Sequence, residues 1–151
     1  MSLCSHSRES SVGHWGSRLA FIPLVYNTRL IRINPGYQAA QIRLIFRLHL
    51  EDPTHTLHGV LLVYVQWFSK FQESPSMPIN MFKVHRLLTG GDRGSPIGDV
   101  IRLNAVARFI QLIPEFGKKK RTNWESTNSM DVPYSYFVNS FADKEIFQAV
   151  Y

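Results

Sequence analysis

The segment Gln41–Leu50 sets apolar Ile42, Leu44, Phe46, Leu48 and Leu50 against Gln41, Arg43, Arg47 and His49, with Ile45 the one interruption. A period of two is that of a strand, whose successive side chains point to opposite faces. On a helix of roughly 3.6 residues per turn the five apolar side chains would scatter around the circumference. The segment is therefore predicted to be a strand, with one face in the core and Arg43 and Arg47 on the other.

The rest of the chain reads as short strands between turn signals. Phe21–Val25 and Arg29–Ile33 are β-rich runs, the second stopped by Asn34-Pro35-Gly36. Val60–Phe68 is apolar on both faces, as a central barrel strand is. Met81–Leu88 and Asp99–Leu103 are further strands, separated by the Gly-rich turn Thr89–Gly98. Asn104 offers a cap for one helical turn before Phe109–Ile113, and Pro114 and Gly117 end the regular pattern. Tyr134–Phe141 is aromatic-rich and fits either a strand or a helix; Asp143 caps a closing helix through Glu145, Ile146, Phe147 and Val150. The expected fold is mainly β with minor α: a small SH3-like or bromo-adjacent-homology-like barrel with a terminal helix, its edges closed by curling. Residues 1–17 form a flexible Ser-rich lead, 18–117 the β-barrel core and 118–133 a basic and polar linker; residues 134–151 pack on the barrel as an aromatic segment and closing helix. The expected core includes Ile42, Leu44, Phe46, Leu48, Trp67, Phe68, Leu112 and Phe116.

A chain of 151 residues, 44% of them hydrophobic, is the size of one ordinary domain and needs neither metal nor disulfide to hold a core. Its single cysteine, Cys4, permits no intramolecular disulfide and no Cys-based zinc site. The lead has no apolar run of a secretory signal, and the longest apolar stretch, Gly59–Val65, is far short of the roughly 20 residues of a membrane span. These features point to an intracellular location without a membrane.

No constellation for catalysis stands out. There is no Gly-x-Ser-x-Gly elbow, and Thr89-Gly90-Gly91-Asp92-Arg93-Gly94 lacks the lysine and following helix of a phosphate loop, so it reads as a turn. His55 and His58 near Asp52 offer metal-ligand atoms, but in a loop their spacing has no set geometry and solvated histidines are the simpler reading. No enzymatic activity, cofactor or metal is expected. Charge is more informative. Residues 1–121 carry 16 of the 17 Lys and Arg and seven acids, a net of +9, whereas residues 122–151 carry one Lys and four acids, a net of −3. A basic body suits a polyanion partner, although net charge also serves solubility. Lys118, Lys119, Lys120 and Arg121 are the densest cations and, with Arg43 and Arg47, the candidate nucleic-acid contacts; the same run fits nuclear import or an ordinary solvated loop. Trp124 either stacks on a base or anchors the loop. Four phosphate contacts in the run would imply a slope of log affinity against log salt of roughly −3.6 on duplex DNA.

Six segments, in order, carry a family resemblance: Ile31–Gly36, Ala40–Phe46, Tyr64–Phe68, Gln111–Gly117, Asn128-Ser129-Met130 and Asp143–Phe147. Together they resemble the C-terminal module of large open reading frames in fungal transposable elements, above all the Plavaka group of CACTA-like DNA transposons. The resemblance spans about residues 25–148. It implies a transposon-derived accessory module, and that module has no assigned catalytic residue to carry over. The transposase region found upstream in the family is absent from this chain. Two functions follow: a module binding nucleic acid or chromatin through a basic surface, in the nucleus, or a protein–protein interaction or scaffolding domain with no nucleic-acid role.

Overall fold

A computed structural model of the protein describes residues 27–91, 94–117 and 131–150. The lead, the expected strand Phe21–Val25 and most of the linker, with Lys118, Lys119, Lys120, Arg121 and Trp124, lie outside the described residues. Among the described residues eight strands form: β1 (Thr28–Arg32), β2 (Tyr37–Arg47), β3 (Leu61–Trp67), β4 (Lys83–His85), β5 (Gly98–Arg102), β6 (Val106–Phe109), β7 (Leu112–Pro114) and β8 (Ser135–Val138). Single 3-10 turns occupy Leu103–Ala105 and Ser140–Ala142, and helix α1 covers Lys144–Val150. The chain is thus mainly β, with a short closing helix, as its patterning predicts.

The strands are antiparallel and lie in two sheets, ordered β5-β3-β2-β1-β6 and β4-β8-β7. The sheets join at both sides. At one seam Phe68 bridges Arg86, Ser69 N–H donates to His85 O at 2.8 Å and Leu87 N–H to Trp67 O at 3.1 Å. At the other, the chain runs from β6 into β7 through Ile110, whose N–H donates to Thr28 O at 3.1 Å. Thr28 Oγ1 returns a bond to Ile110 O at 2.7 Å. Hydrogen bonds therefore run a closed circuit, β1-β2-β3-β4-β8-β7/β6, which removes the sheet edges a small β domain must otherwise protect. β5 stands outside the circuit as a flange on β3.

Local chemistry accounts for the turns. Gly36, at φ +88°, supplies the left-handed residue that returns β1 into β2, with Ile33 N–H donating to its carbonyl at 3.0 Å. Asp143 Oδ1 accepts from Glu145 N–H at 2.8 Å at the start of α1, and Ile146 delivers the helix to the core. The 3-10 turn after β5 starts two residues earlier than expected. Asn104 lies inside it, and Arg102 takes the cap position with no side-chain cap bond.

Three expectations change. First, the ambiguous Tyr134–Phe141 segment is neither one strand nor one helix; it is β8 followed by a 3-10 turn. β8 lies between β4 and β7, so it is a barrel strand rather than a layer packed on a barrel of residues 18–117. Its alternation drives Tyr136 and Val138 inward, both fully buried. Second, β2 begins at Tyr37, ends at Arg47 and slips register between Ile42 and Leu44. Ile42 pairs with Val65 and Ile45 with Val63, whereas Gln41, Leu44 and Phe46 pair with Gln66, Tyr64 and Leu62. A bulge adds one residue to one strand and so reverses its alternation. Ile42 therefore shares a face with Ile45 and Arg47; Leu44, Phe46 and Leu48 are only partly buried. Third, Phe116 follows the end of β7 and leaves the sheet, so its side chain is 66% exposed. Trp67 is partly buried, and Phe68 and Leu112 are core residues as expected.

Two apolar clusters result among the described residues. Inside the circuit, Leu30, Ala39, Phe68, Phe82, Val84, Ile110, Leu112, Tyr136, Val138 and Ile146 pack together. On the opposite face of the larger sheet, Ile31, Ala40, Ile42, Val63 and Val65 form the second, flanked by Leu103 and Ala105 of the 3-10 turn. The Phe68 ring meets Tyr136 edge to face at 5.3 Å, an arrangement worth about 0.5–1.5 kcal/mol beyond area burial. We expect Phe68→Ala to cost about 3–5 kcal/mol in chemical denaturation, and Phe116→Ala no more than about 0.5 kcal/mol. Equal losses at the two positions would contradict the packing described.

Candidate nucleic-acid interface

The bulge that reverses β2 also distributes its cations. Arg47 pairs with Leu61 on the Ile42 face of the sheet. Arg43, the extra residue of the bulge, reaches Asp131 on the other face, where Arg86 and Gln41 lie. The two arginines expected to share a surface are therefore on opposite sides of β2. What joins Arg43 instead is a set of residues from β2, β3 and β5. Cross-strand pairing places Leu44, Tyr64 and Val100 in one row and Phe46, Leu62 and Arg102 in the next, all on the Arg43 side. Arg43, Arg102 and Val100 are exposed, and Phe46 and Tyr64 partly so. Arg43 stands on β2 beside the Leu44–Tyr64–Val100 row, and Arg102 ends the Phe46–Leu62–Arg102 row on β5.

Gly98 is what lets Tyr64 lie as it does. A Cβ at Gly98 would collide with the Tyr64 ring, so the close approach of ring to β5 requires a residue without a side chain. The sequence shows this glycine only as the end of a turn-rich segment.

Beside this face, at the Phe68–Arg86 seam, lies a buried charge. The Arg86 side chain is only 6% exposed. Its guanidinium carbon sits 5.2 Å from the Phe68 ring centroid and 5.8 Å from that of Tyr136. Nη2 donates to Gln41 Oε1 at 2.7 Å and lies 3.6 Å from Asp131 Oδ1, the oxygen that Arg43 Nη1 contacts at 3.0 Å. Burial raises the pKa of the Tyr136 phenol, with the Arg86 charge and hydrogen bond working against it, and Tyr136 Oη donates to Pro133 O at 2.8 Å. One carboxylate oxygen thus faces two guanidinium groups.

The histidine loop is organised by its own backbone. His55 Nδ1 accepts from Leu57 N–H at 3.1 Å, and His58 Nδ1 lies 3.0 Å from Leu50 O. Asp52 accepts from the Thr54 side chain and backbone, which holds its carboxyl below the usual range. Among the described residues no three His, Cys, Asp or Glu side chains gather as a metal site.

The outer face of the smaller sheet has a different character. Met77, Ile79, Ile113, Phe116 and Phe137 line an apolar groove of about 530 Å³. At its rim Lys83 Nζ contacts both Glu115 oxygens, at 2.9 and 2.7 Å, and Ser135 donates to the same carboxylate. The Lys83 bond, and then the Ser135 bond, hold the Glu115 carboxyl below its usual pKa. A depressed carboxylate contributes stability above its unfolded pKa of about 4.3 and loses it as pH falls through the lower folded value. The stability gap between wild type and Glu115→Gln should therefore be constant above about pH 5 and close on acidification. A gap unchanged down to about pH 2 would assign the pair no electrostatic role.

Among the described residues no helix is long and apolar enough to cross a membrane. No protein-family model matches the chain, and neither does any curated protein or solved structure.

Proposed function

We propose that the protein is a non-catalytic accessory module, derived from a transposon protein and acting in the nucleus, that binds nucleic acid through the Arg43 face of its larger sheet. The observation that carries this reading is the placement of Arg43 and Arg102 with Tyr64 and Phe46 on one sheet face. Cations that meet phosphates, combined with rings on which bases stack, are the two ingredients of sequence-tolerant single-strand binding. The run Lys118, Lys119, Lys120 and Arg121 adds four positive charges to the same chain, and Arg47 extends the basic character to the opposite side of β2. Each stacked base contributes about 1–3 kcal/mol, and each phosphate neutralised on a single strand about 0.7 of salt slope.

A second reading has its own support. The groove beside Phe116 and Met77 exposes several apolar side chains close together, a feature of protein interaction surfaces. A domain working through that groove would bind a protein partner and be nearly indifferent to salt.

The two readings separate in a titration of labelled oligothymidylate and duplex DNA at several salt concentrations. We expect tighter binding to the single strand and a steep loss with salt. Tyr64→Ala should weaken binding by about 1–3 kcal/mol with little change of slope, and Arg102→Ala should reduce the slope by about 0.7. Replacing Lys118, Lys119, Lys120 and Arg121 by Ala should reduce it further, by about 2.8 for four single-strand contacts. No binding at low salt would reject the nucleic-acid reading and favour the groove.

A further inference from the structure

We propose that the outer edge of β5 is a self-pairing site, to which a second copy of the chain adds its own β5 antiparallel, and that Asp99 holds this pairing weak. Among the described residues β5 pairs with β3 alone, so its other side carries no ladder. The alternation of an antiparallel ladder fixes which groups that side presents. Trp67 N–H donates to Ile97 O at 3.0 Å, and the residues that follow alternate from there. Asp99 and Ile101 turn their backbone groups to β3; Gly98, Val100 and Arg102 turn theirs outward, and all three are exposed. Val100 N–H agrees with this direction, for it donates to the Asp99 carboxylate at 2.7 Å. Outward donors and acceptors on an exposed strand are a template for another strand.

The edge is bounded at both ends. Ile97 N–H donates to Leu87 O at 2.8 Å, which occupies the side before Gly98, and the 3-10 turn Leu103–Ala105 ends the strand after Arg102. A second β5 fits the length between. A twofold axis normal to the sheet and centred on Val100 sets Val100 against Val100 of the second copy, a β-branched pair that suits a sheet. It also sets Gly98 against Arg102 of the second copy. The Tyr64 ring fills the space a side chain at Gly98 would take, so the incoming guanidinium arrives beside an aromatic ring. Asp99 opposes the arrangement in two ways. Its carboxylate occupies the Val100 N–H that pairing needs. The twofold also brings the two Asp99 side chains diagonally across the new seam on one face, where like charges repel. Interfaces under about 1,200 Å² are weak and transient, and pairing along a strand of 5 residues belongs among them. The dimer carries two Tyr64 faces on one continuous sheet. Their use as a bivalent surface rests on the nucleic-acid reading, whereas the pairing does not.

The test is sedimentation velocity on the full chain over a range of concentrations, without nucleic acid. Wild type should associate weakly. Asp99→Ala should associate at least about tenfold more tightly, a change of about 1.4 kcal/mol. Val100→Lys sets two like charges opposite each other and should give a monomer, also in the Asp99→Ala background. The Val100 side chain is 49% exposed, so this change spares the core. Val100→Pro removes the outward N–H, a substitution that an edge strand tolerates. It should likewise give a monomer and keeps the test decisive should Val100→Lys fold poorly. Tighter association of Asp99→Ala that is lost with either Val100 change supports the site. Asp99→Ala no tighter than wild type, or association that persists after the Val100 changes, overturns the proposal.

Discussion

Closing a small barrel around a positive charge demands that the charge be neutralised where it lies, because an unpaired buried ion costs several kcal/mol. Arg86 meets that demand at the seam itself. Its backbone bridges Phe68 to join the two sheets, and its side chain lies against the Phe68 and Tyr136 rings. Gln41 from β2 and Asp131 from the segment leading into β8 supply the polar partners. One residue therefore ties four parts of the chain: the end of β3, the bulged strand β2, the inward face of β8 and the turn before it. Apolar contact alone would bring these parts together; the guanidinium, with its directional donors, determines how they are oriented.

The bulge at Arg43 is the second organising feature, and it acts through parity. A strand buried on both faces has two apolar sets to place, one in each cluster. A single inserted residue moves Ile45 and Arg47 to the side of Ile42 and leaves Arg43 facing Asp131. Without the slip, Arg43 and Arg47 would both lie on the Gln41 face, and Leu44 and Phe46 would turn to the side of Ile42. The geometry of the candidate interface thus depends on one residue of register, not on the number of arginines in the strand.

The two sheets divide the surface between them. The larger one carries cations beside partly exposed rings, and the smaller one carries the apolar groove with its Lys83–Glu115–Ser135 rim. These are chemically distinct surfaces on one small barrel, and each suits a different class of partner. Helix α1 serves neither directly. It places Ile146 in the core, and at its start Arg108 of β6 meets Asp143 and Glu145.

The sequence by itself determined the class of fold: period two in β2, apolar character on both faces of β3, the turn at Gly36 and the Asp143 cap are local signals, each resting on a few neighbouring residues. For the same reason it identified Phe68 and Leu112 as core and Arg43 as a functional candidate. The tertiary structure alone decided the rest. Whether Tyr134–Phe141 forms a strand depends on the open positions beside β4 and β7, far away in sequence. The exposure of Phe116 depends on where β7 ends, and the separation of Arg43 from Arg47 on a bulge that a pattern of apolar and polar residues does not reveal. Arg86 carried no signal as a site residue, because nothing in the Met81–Leu88 pattern sets it apart from a surface arginine. Its burial, its rings and its shared carboxylate come from Gln41, Phe68, Asp131 and Tyr136, which only the closure of the barrel brings to one place.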